Sequence, residues 1–336
     1  MKCSYSAAYH AAALPAGPFP MSKSWLLKER LLDEGVLAEG DFIEPQPLGI
    51  ETLELAHTRQ YLAKLRTSSL STAEQRRIGL PWSDALWQRS RAAAGGTLRA
   101  ARAALDEGLA GNLAGGSHHA FADHGEGFCV LNDVAVATLA LRSAGTIQRA
   151  VIIDLDVHQG NGTASIFEND DQVFTLSMHG ERNYPAKKMR SNLDVPLLDG
   201  VGDAQYLGEL ERHLPRVLDS ACADIAFYLA GVDVAAGDRY GRLALTEEGV
   251  ARRDRLVITA VRNRGIPLVI VLAGGYAATP ARTVELHEHA FREAVAYEHA
   301  RRPASVRRLD TNSSAAVHVG QQPQRADHQK LHVLEE

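Results

Sequence analysis

Residues 150–162 read Ala-Val-Ile-Ile-Asp-Leu-Asp-Val-His-Gln-Gly-Asn-Gly, and they limit the possible folds more than any other stretch. Four apolar residues run into Asp154, Asp156 and His158, and the chain then breaks on Gly160 and Gly162. A short run that is apolar on both alternating faces reads as a strand covered on both sides, with its polar residues delivered at the carboxyl end. Side chains at 154, 156 and 158 share one face of such a strand. A carboxylate and an imidazole can therefore converge on a metal while the other carboxylate supports them from behind. A calcium loop also opens Asp-x-Asp, but it needs glycine at its sixth position and glutamate at its twelfth, where this chain has Gln159 and Ser165. A buried strand whose polar end is satisfied by loop hydrogen bonds accounts for the stretch equally well. Other parts of the chain must discriminate.

With 336 residues, 45% of them hydrophobic, the chain can bury a large core, and apolar strands alternating with helical patterns favour one α/β unit over two domains. A formal net charge of −5 argues against direct nucleic-acid binding as its main task. Cys3, Cys129 and Cys222 are widely spaced and form neither a disulfide framework nor a zinc ribbon, which suits a reducing cytoplasm. The alanine-rich opening is interrupted by Tyr9, His10 and Pro15, unlike a secretory leader, and no apolar run is long enough for a membrane span. Nothing in the sequence bears on oligomeric state.

Periodicity predicts a helix after Ser22 that closes at Gly35, a second over 51–66, and a third from Ser83 to about Asp106. Gly95-Gly96 inside the third suggests a close approach by a neighbour rather than a hinge. His57 reads as a structural histidine. A helix from 131 to 143 feeds the central strand, and strands are predicted over 173–178, 225–233 and 268–273. Helices follow around 206–221, over 246–264 as a charged surface helix, and from Pro280 to about His299. From Arg301 onward periodicity disappears, so residues 1–300 are expected to form one folded domain and 301–336 a disordered tail.

Chemistry clusters at a few points. Gly115-Gly116-Ser117 leads into the tandem His118-His119, two imidazoles suited to taking and returning a proton. Two further apolar runs end in Gly231-Val232-Asp233 and in Gly274-Gly275-Tyr276. An open parallel sheet gathers its ligands beyond its carboxyl ends, so these residues can meet Asp156 and His158. One histidine and two carboxylates with an open position suit a catalytic Zn²⁺ or Fe²⁺.

Taken together, Asp154-x-Asp156-x-His158-x-Gly160, His118-His119, Gly127-Phe128-Cys129, Gly231-x-Asp233 with Asp238, and Gly274-Gly275-Tyr276 resemble the metal-dependent histone deacetylase family. The likeness covers most of residues 1–300 and is greatest to its class IV branch and bacterial histone deacetylase-like amidohydrolases. It implies the arginase/deacetylase fold, an open, mostly parallel sheet with helices on both faces, and hydrolysis of an acylated lysine in a protein or a small acylated amine. By resemblance, Asp156, His158 and Asp233 hold the metal; His119 is the general base and acid, with His118 as its partner oriented by Asp154. Tyr276 donates to the oxyanion, while Gly127, Phe128 and Tyr184 line the acyl-lysine tunnel. A structural K⁺ is implied near Asp154, Asp156, His158, Ser177 and Met178. Asn161, where many relatives carry Asp, can hold His119 without adding a charge. The alternatives are a ureohydrolase on the same fold and a silent acyl-lysine binding module. The first lacks a second carboxylate after Asp233, where Val234 and Ala235 follow, and the second leaves His119 and Tyr276 without a purpose.

Overall fold

The structure is a computed structural model and describes residues 1–10 and 19–301. The predicted tail, from 302 onward, lies outside the described residues. Met1–Tyr297 form one unit and Glu298–Glu336 another, of which only the first four residues are described.

Eight strands form one sheet: β1 (Lys2–Ser4), β2 (Phe42–Ile43), β3 (Leu109–Asn112), β4 (Ala150–Asp154), β5 (Val173–Gly180), β6 (Leu193–Leu197), β7 (Ile225–Leu229) and β8 (Leu268–Val271). Their order is β2-β1-β3-β8-β7-β4-β5-β6, and every pairing is parallel. Asp154 lies in register with Ser177 on one side and Leu229 on the other, which puts the ends of β4, β5 and β7 at one edge. The helices are α1 (Lys23–Asp33), α2 (Ile50–Leu53), α3 (Arg59–Arg66), α4 (Thr72–Ile78), α5 (Asp84–Glu107), α6 (Asp133–Ser143), α7 (Asn161–Phe167), α8 (Asp203–Ala221), α9 (Glu247–Asn263) and α10 (Pro280–Arg301). This is the arginase/deacetylase α/β fold.

The apolar runs are buried on both faces, as their composition requires. Val151 and Ile153 enter one core with Leu210 and Leu214 of α8, Val257 of α9 and Phe291 of α10. Ala150 and Ile152 enter the other with Leu98 of α5 and Val134 of α6. Successive side chains of a strand point to opposite faces, so one strand serves both cores. Helix α5 passes straight through Gly95-Gly96. A Cβ at 95 would lie 2.0 Å from the Gln46 carbonyl oxygen, and one at 96 would lie 2.0 Å from the Tyr9 hydroxyl.

Three expectations need correction or completion. The helix predicted over 51–66 is two, because Thr58 caps α3 by accepting from the Tyr61 N–H and so must be extended. The buried His57 fills the break: its Nε2 accepts from the Asn132 N–H at 3.0 Å, which leaves Nδ1 to donate to the Phe121 carbonyl at 3.0 Å. Helix α9 does expose charges, at Glu247, Glu248, Arg252 and Arg255, but Arg253 and Asp254 are fully buried and paired with each other. Strands β1, β2, β3 and β6 were not foreseen; unlike β4, β7 and β8, none of them carries a run of four apolar residues. Among the described residues no helix is long and apolar enough to cross a membrane.

Candidate metal centre and active-site pocket

Three strand ends build the centre. Beyond β4, Asp156 Oδ1 accepts from the His158 N–H at 2.9 Å, and its Oδ2 accepts from the Gly274 N–H, beyond β8, at 2.6 Å. Beyond β7, Asp233 Oδ1 accepts from the Val157 N–H at 2.9 Å. These backbone bonds clamp both carboxylates, and a Cβ at position 274 would lie 2.0 Å from Asp233 Oδ2, so only glycine fits there. One ligand atom each from Asp156, His158 and Asp233 lies within 4.8 Å of the others, the one such cluster among the described residues.

The charge balance of the cluster suits a cation. Burial pushes the Asp233 carboxyl up to about 7, reinforced by the Asp156 charge. Burial also works against charge on His158, yet its contacts with Asp156 and Asp233 raise it to about 10. Asp233 Oδ2 lies 3.2 Å from His158 Nδ1 and makes no hydrogen bond. The residues fit a divalent metal: a nitrogen and two carboxylate donors, one with an orphaned oxygen, and open space on the remaining side.

The tandem histidines sit against this cluster with their ring centroids 4.1 Å apart. His118 Nδ1 donates to Asp154 Oδ2 at 2.7 Å. Burial lowers its basicity, but the carboxylates of Asp154 and Asp156 outweigh burial and bring it to about 9. His119 differs. Asn161 Nδ2 donates to Glu126 Oε1 at 2.6 Å, which turns Asn161 Oδ1 toward His119 Nδ1 at 2.7 Å. An amide oxygen only accepts, so His119 Nδ1 carries the proton and Nε2 keeps its lone pair. Burial, with the charges of His118 and His158, holds His119 well below the usual imidazole value.

A cavity of about 370 Å³ leads inward to His119, His158 and Tyr276, between Phe128, Tyr184 and Tyr240. The Tyr184 ring stands edge-on to His119 at 5.0 Å and the Tyr276 ring lies 6.5 Å from His158. Gly127, at φ +55°, leaves room for the His119 ring; a Cβ there would lie 2.7 Å from His119 Cδ2. Asp238 Oδ2 accepts from the Tyr276 N–H at 2.6 Å and fixes the turn that presents the phenol. Burial, then the charges of Asp156 and Asp233, push that phenol well above its usual value, so it stays a donor.

Each metal, histidine and pocket residue expected from the sequence thus meets the others here. Ser177 lies beside Asp154 in the sheet, its hydroxyl bonded to His179 Nδ1 at 3.0 Å, and Met178 is buried in the core on the α8 side. Sequence reasoning passed over Tyr240, Glu126, Arg253 and Lys23. The buried Lys23 donates to the Ala273 carbonyl beside the centre, and burial lowers its ammonium to about 8. No local pattern marks these residues, although a charged pair at 253–254 on an inward helix position was a usable signal.

Residues 18–291 match the family model of the histone deacetylase domain. The chain belongs to the histone deacetylase family. Histone deacetylase 2 of Arabidopsis thaliana is 31% identical over 288 residues, spanning 80% of this chain and 71% of that one. The histone deacetylase-like amidohydrolase of Pseudomonas aeruginosa is 30% identical, over 68% of this chain and 64% of its own. An uncharacterized protein of a Picosynechococcus strain is 45% identical, over 84% and 92%. The solved HDA15 HD domain superposes with a TM-score of 0.73 at 22% identity, covering 88% of this chain and 90% of that one, and so shares the histone deacetylase fold.

Proposed function

We propose that this histone deacetylase family member is a metal-dependent amidohydrolase that removes the acyl group from an acylated lysine or a related acylated amine. The observation that carries the reading is the meeting of Asp156, His158, Asp233, His119 and Tyr276 at the inner end of one aromatic-walled cavity. Asp156, His158 and Asp233 would hold Zn²⁺ or Fe²⁺. Such an ion supplies Lewis acidity, polarising an amide carbonyl and making water a nucleophile near neutral pH.

The chain's own residues do the rest. His119, neutral and with Nε2 unprotonated, takes the proton from the attacking water and returns one to the leaving amine. His118, held protonated by Asp154, keeps a positive charge beside the region where negative charge develops. Tyr276 donates its O–H to the former carbonyl oxygen as charge accumulates there. Phe128 and Tyr184 hold the aliphatic stem of the substrate and exclude water from it. A structural K⁺ near Asp154 and Ser177, and a cytoplasmic setting, belong to the same reading.

Metal analysis of the purified protein and hydrolysis of an Nε-acetyl-lysine peptide test it. Tyr276→Phe keeps the ring and deletes only the donor, so turnover should fall ~10²-fold to 10³-fold with little change in substrate affinity or melting temperature. Near-full activity in that variant would reduce Tyr276 to packing. Peptide binding without turnover in the metal-loaded wild type would instead favour a silent binding module.

A further inference from the structure

The outer end of the active-site cavity carries three guanidinium groups and no carboxylate: Arg77 from the last turn of α4, Arg182 from the loop after β5, and Arg242 from the loop ahead of α9. All three are exposed. Among the described residues neither Arg77 nor Arg182 has an ion-pair partner, while Arg242 has only a 3.4 Å contact with the half-exposed Asp199. Glu126, Glu181 and Asp238 of the flanking loops are acidic but pair with none of the three and stand outside the cavity lining. Glu126 is engaged by Asn161, and Asp238 by the backbone N–H groups of Tyr240, Gly241 and Tyr276. Glu181, next to Arg182, does not line the cavity.

This mouth has the opposite sign to the whole chain, whose formal net charge is −5, so it does not follow from general basicity. Charges of one sign around a concave opening focus their field on what enters. A basic peptide tail or a polyamine would bring cations against three fixed cations, whereas carboxylate and phosphate match the planar fork of arginine. Because the arginines stand at the mouth and the metal cluster at the floor, the preference falls on the carrier of the acyl group and not on the acyl group itself.

We propose that the site selects acylated amines flanked by anionic groups, carboxylate or phosphate, and disfavours polycationic carriers. This rests on the deacylation reading above and narrows its substrate class. The anion can come from acidic residues around an acyl-lysine in a peptide or from a charged group on a small acylated amine.

The test uses the metal-loaded full chain and Nε-acetyl-lysine peptides of one length flanked by Glu, Gln or Lys. Two small probes are added: N-terminally blocked Nε-acetyl-lysine with a free α-carboxylate, and N-acetylputrescine. We expect kcat/KM to rank Glu above Gln above Lys, with ~3-fold to 30-fold between Glu and Gln at low salt. The gap should shrink as ionic strength rises. In the Arg77→Gln/Arg182→Gln double variant the ratio of Glu to Gln peptide should approach one. A preference for the small carboxylate over the Glu peptide would support the anionic mouth and assign the anion to a small molecule. Equal rates across the series, or a preference for the Lys peptide or N-acetylputrescine, would overturn the proposal. Fluorescence anisotropy of the labelled peptides reads the same ranking without turnover. Acidic-peptide binding with no hydrolysis would overturn only the reaction, and charge-blind binding would overturn only the mouth.

Discussion

His119 and Asn161 set the proton chemistry of the centre between them. The Asn161 side chain is oriented by its donation to Glu126 and so accepts from His119 Nδ1, fixing the tautomer without adding charge. A carboxylate in its place would favour the protonated imidazole. Asn161→Asp should therefore raise the pKa of His119, counteracting the lowering imposed by burial and by His118 and His158. A general base works only when unprotonated. The acid limb of the kcat/KM profile should accordingly move to higher pH in the variant, with activity lost sooner on acidification. An unchanged pH profile would show that this contact does not control the base.

Helix α9 touches the strand ends that carry the site without lining the cavity. Arg253 Nη1 donates to the Gly231 carbonyl at 2.5 Å and to that of Leu155 at 3.4 Å, at the ends of the strands that lead to Asp233 and Asp156. The same guanidinium pairs with Asp254 Oδ1 at 2.9 and 2.8 Å, and Tyr228 donates its hydroxyl to that oxygen. Removing the cation leaves the buried Asp254 carboxylate with the Tyr228 hydroxyl alone and takes the side-chain donor from two strand-end carbonyls. Arg253→Met should cost ~3–5 kcal/mol in urea unfolding, and Arg253→Met/Asp254→Leu should recover much of it, because the double change leaves no unpaired buried charge. Weakened metal binding in the single variant, read by titration with Zn²⁺, would show that α9 also positions the ligands. A single variant as stable as wild type would mean that water reaches the pair.

At the scale of the whole molecule, two carboxylates and an imidazole lie just beyond the ends of β4 and β7, whose residues before those ends are largely apolar. A cation bound there stabilises the native state alone, since the ligands come from separate strand ends that meet only on folding. Saturating Zn²⁺ at about 100 times its dissociation constant should add ~2.7 kcal/mol, and chelation should lower the melting temperature correspondingly. Asp233→Asn should abolish that metal-dependent gain. Differential scanning calorimetry with and without metal decides it, and a gain that survives the substitution would place the ion elsewhere.

Much of this was legible from local sequence, for a definite reason. Four apolar residues before Asp154 cannot avoid facing two cores, and a period of two cannot avoid bringing 154, 156 and 158 to one side, so strand, sheet class and ligand types were present in one short stretch. The motifs identified the family, and the paired glycines before Tyr276 marked a turn tight enough to aim it. What stayed hidden depends on neighbours distant in the chain. Strands β3 and β6 pair with β8 and β5, β1 and β2 build on β3 in turn, and α2 and α3 part because His57 is bonded to Phe121 and Asn132. In α9 the exposed charges were legible, but Arg253 and Asp254 were not separable from them, because they pair with each other and with strand ends rather than with water. Three arginines scattered from 77 to 242 become one cationic mouth only after folding, because charge adds through space and not along the chain.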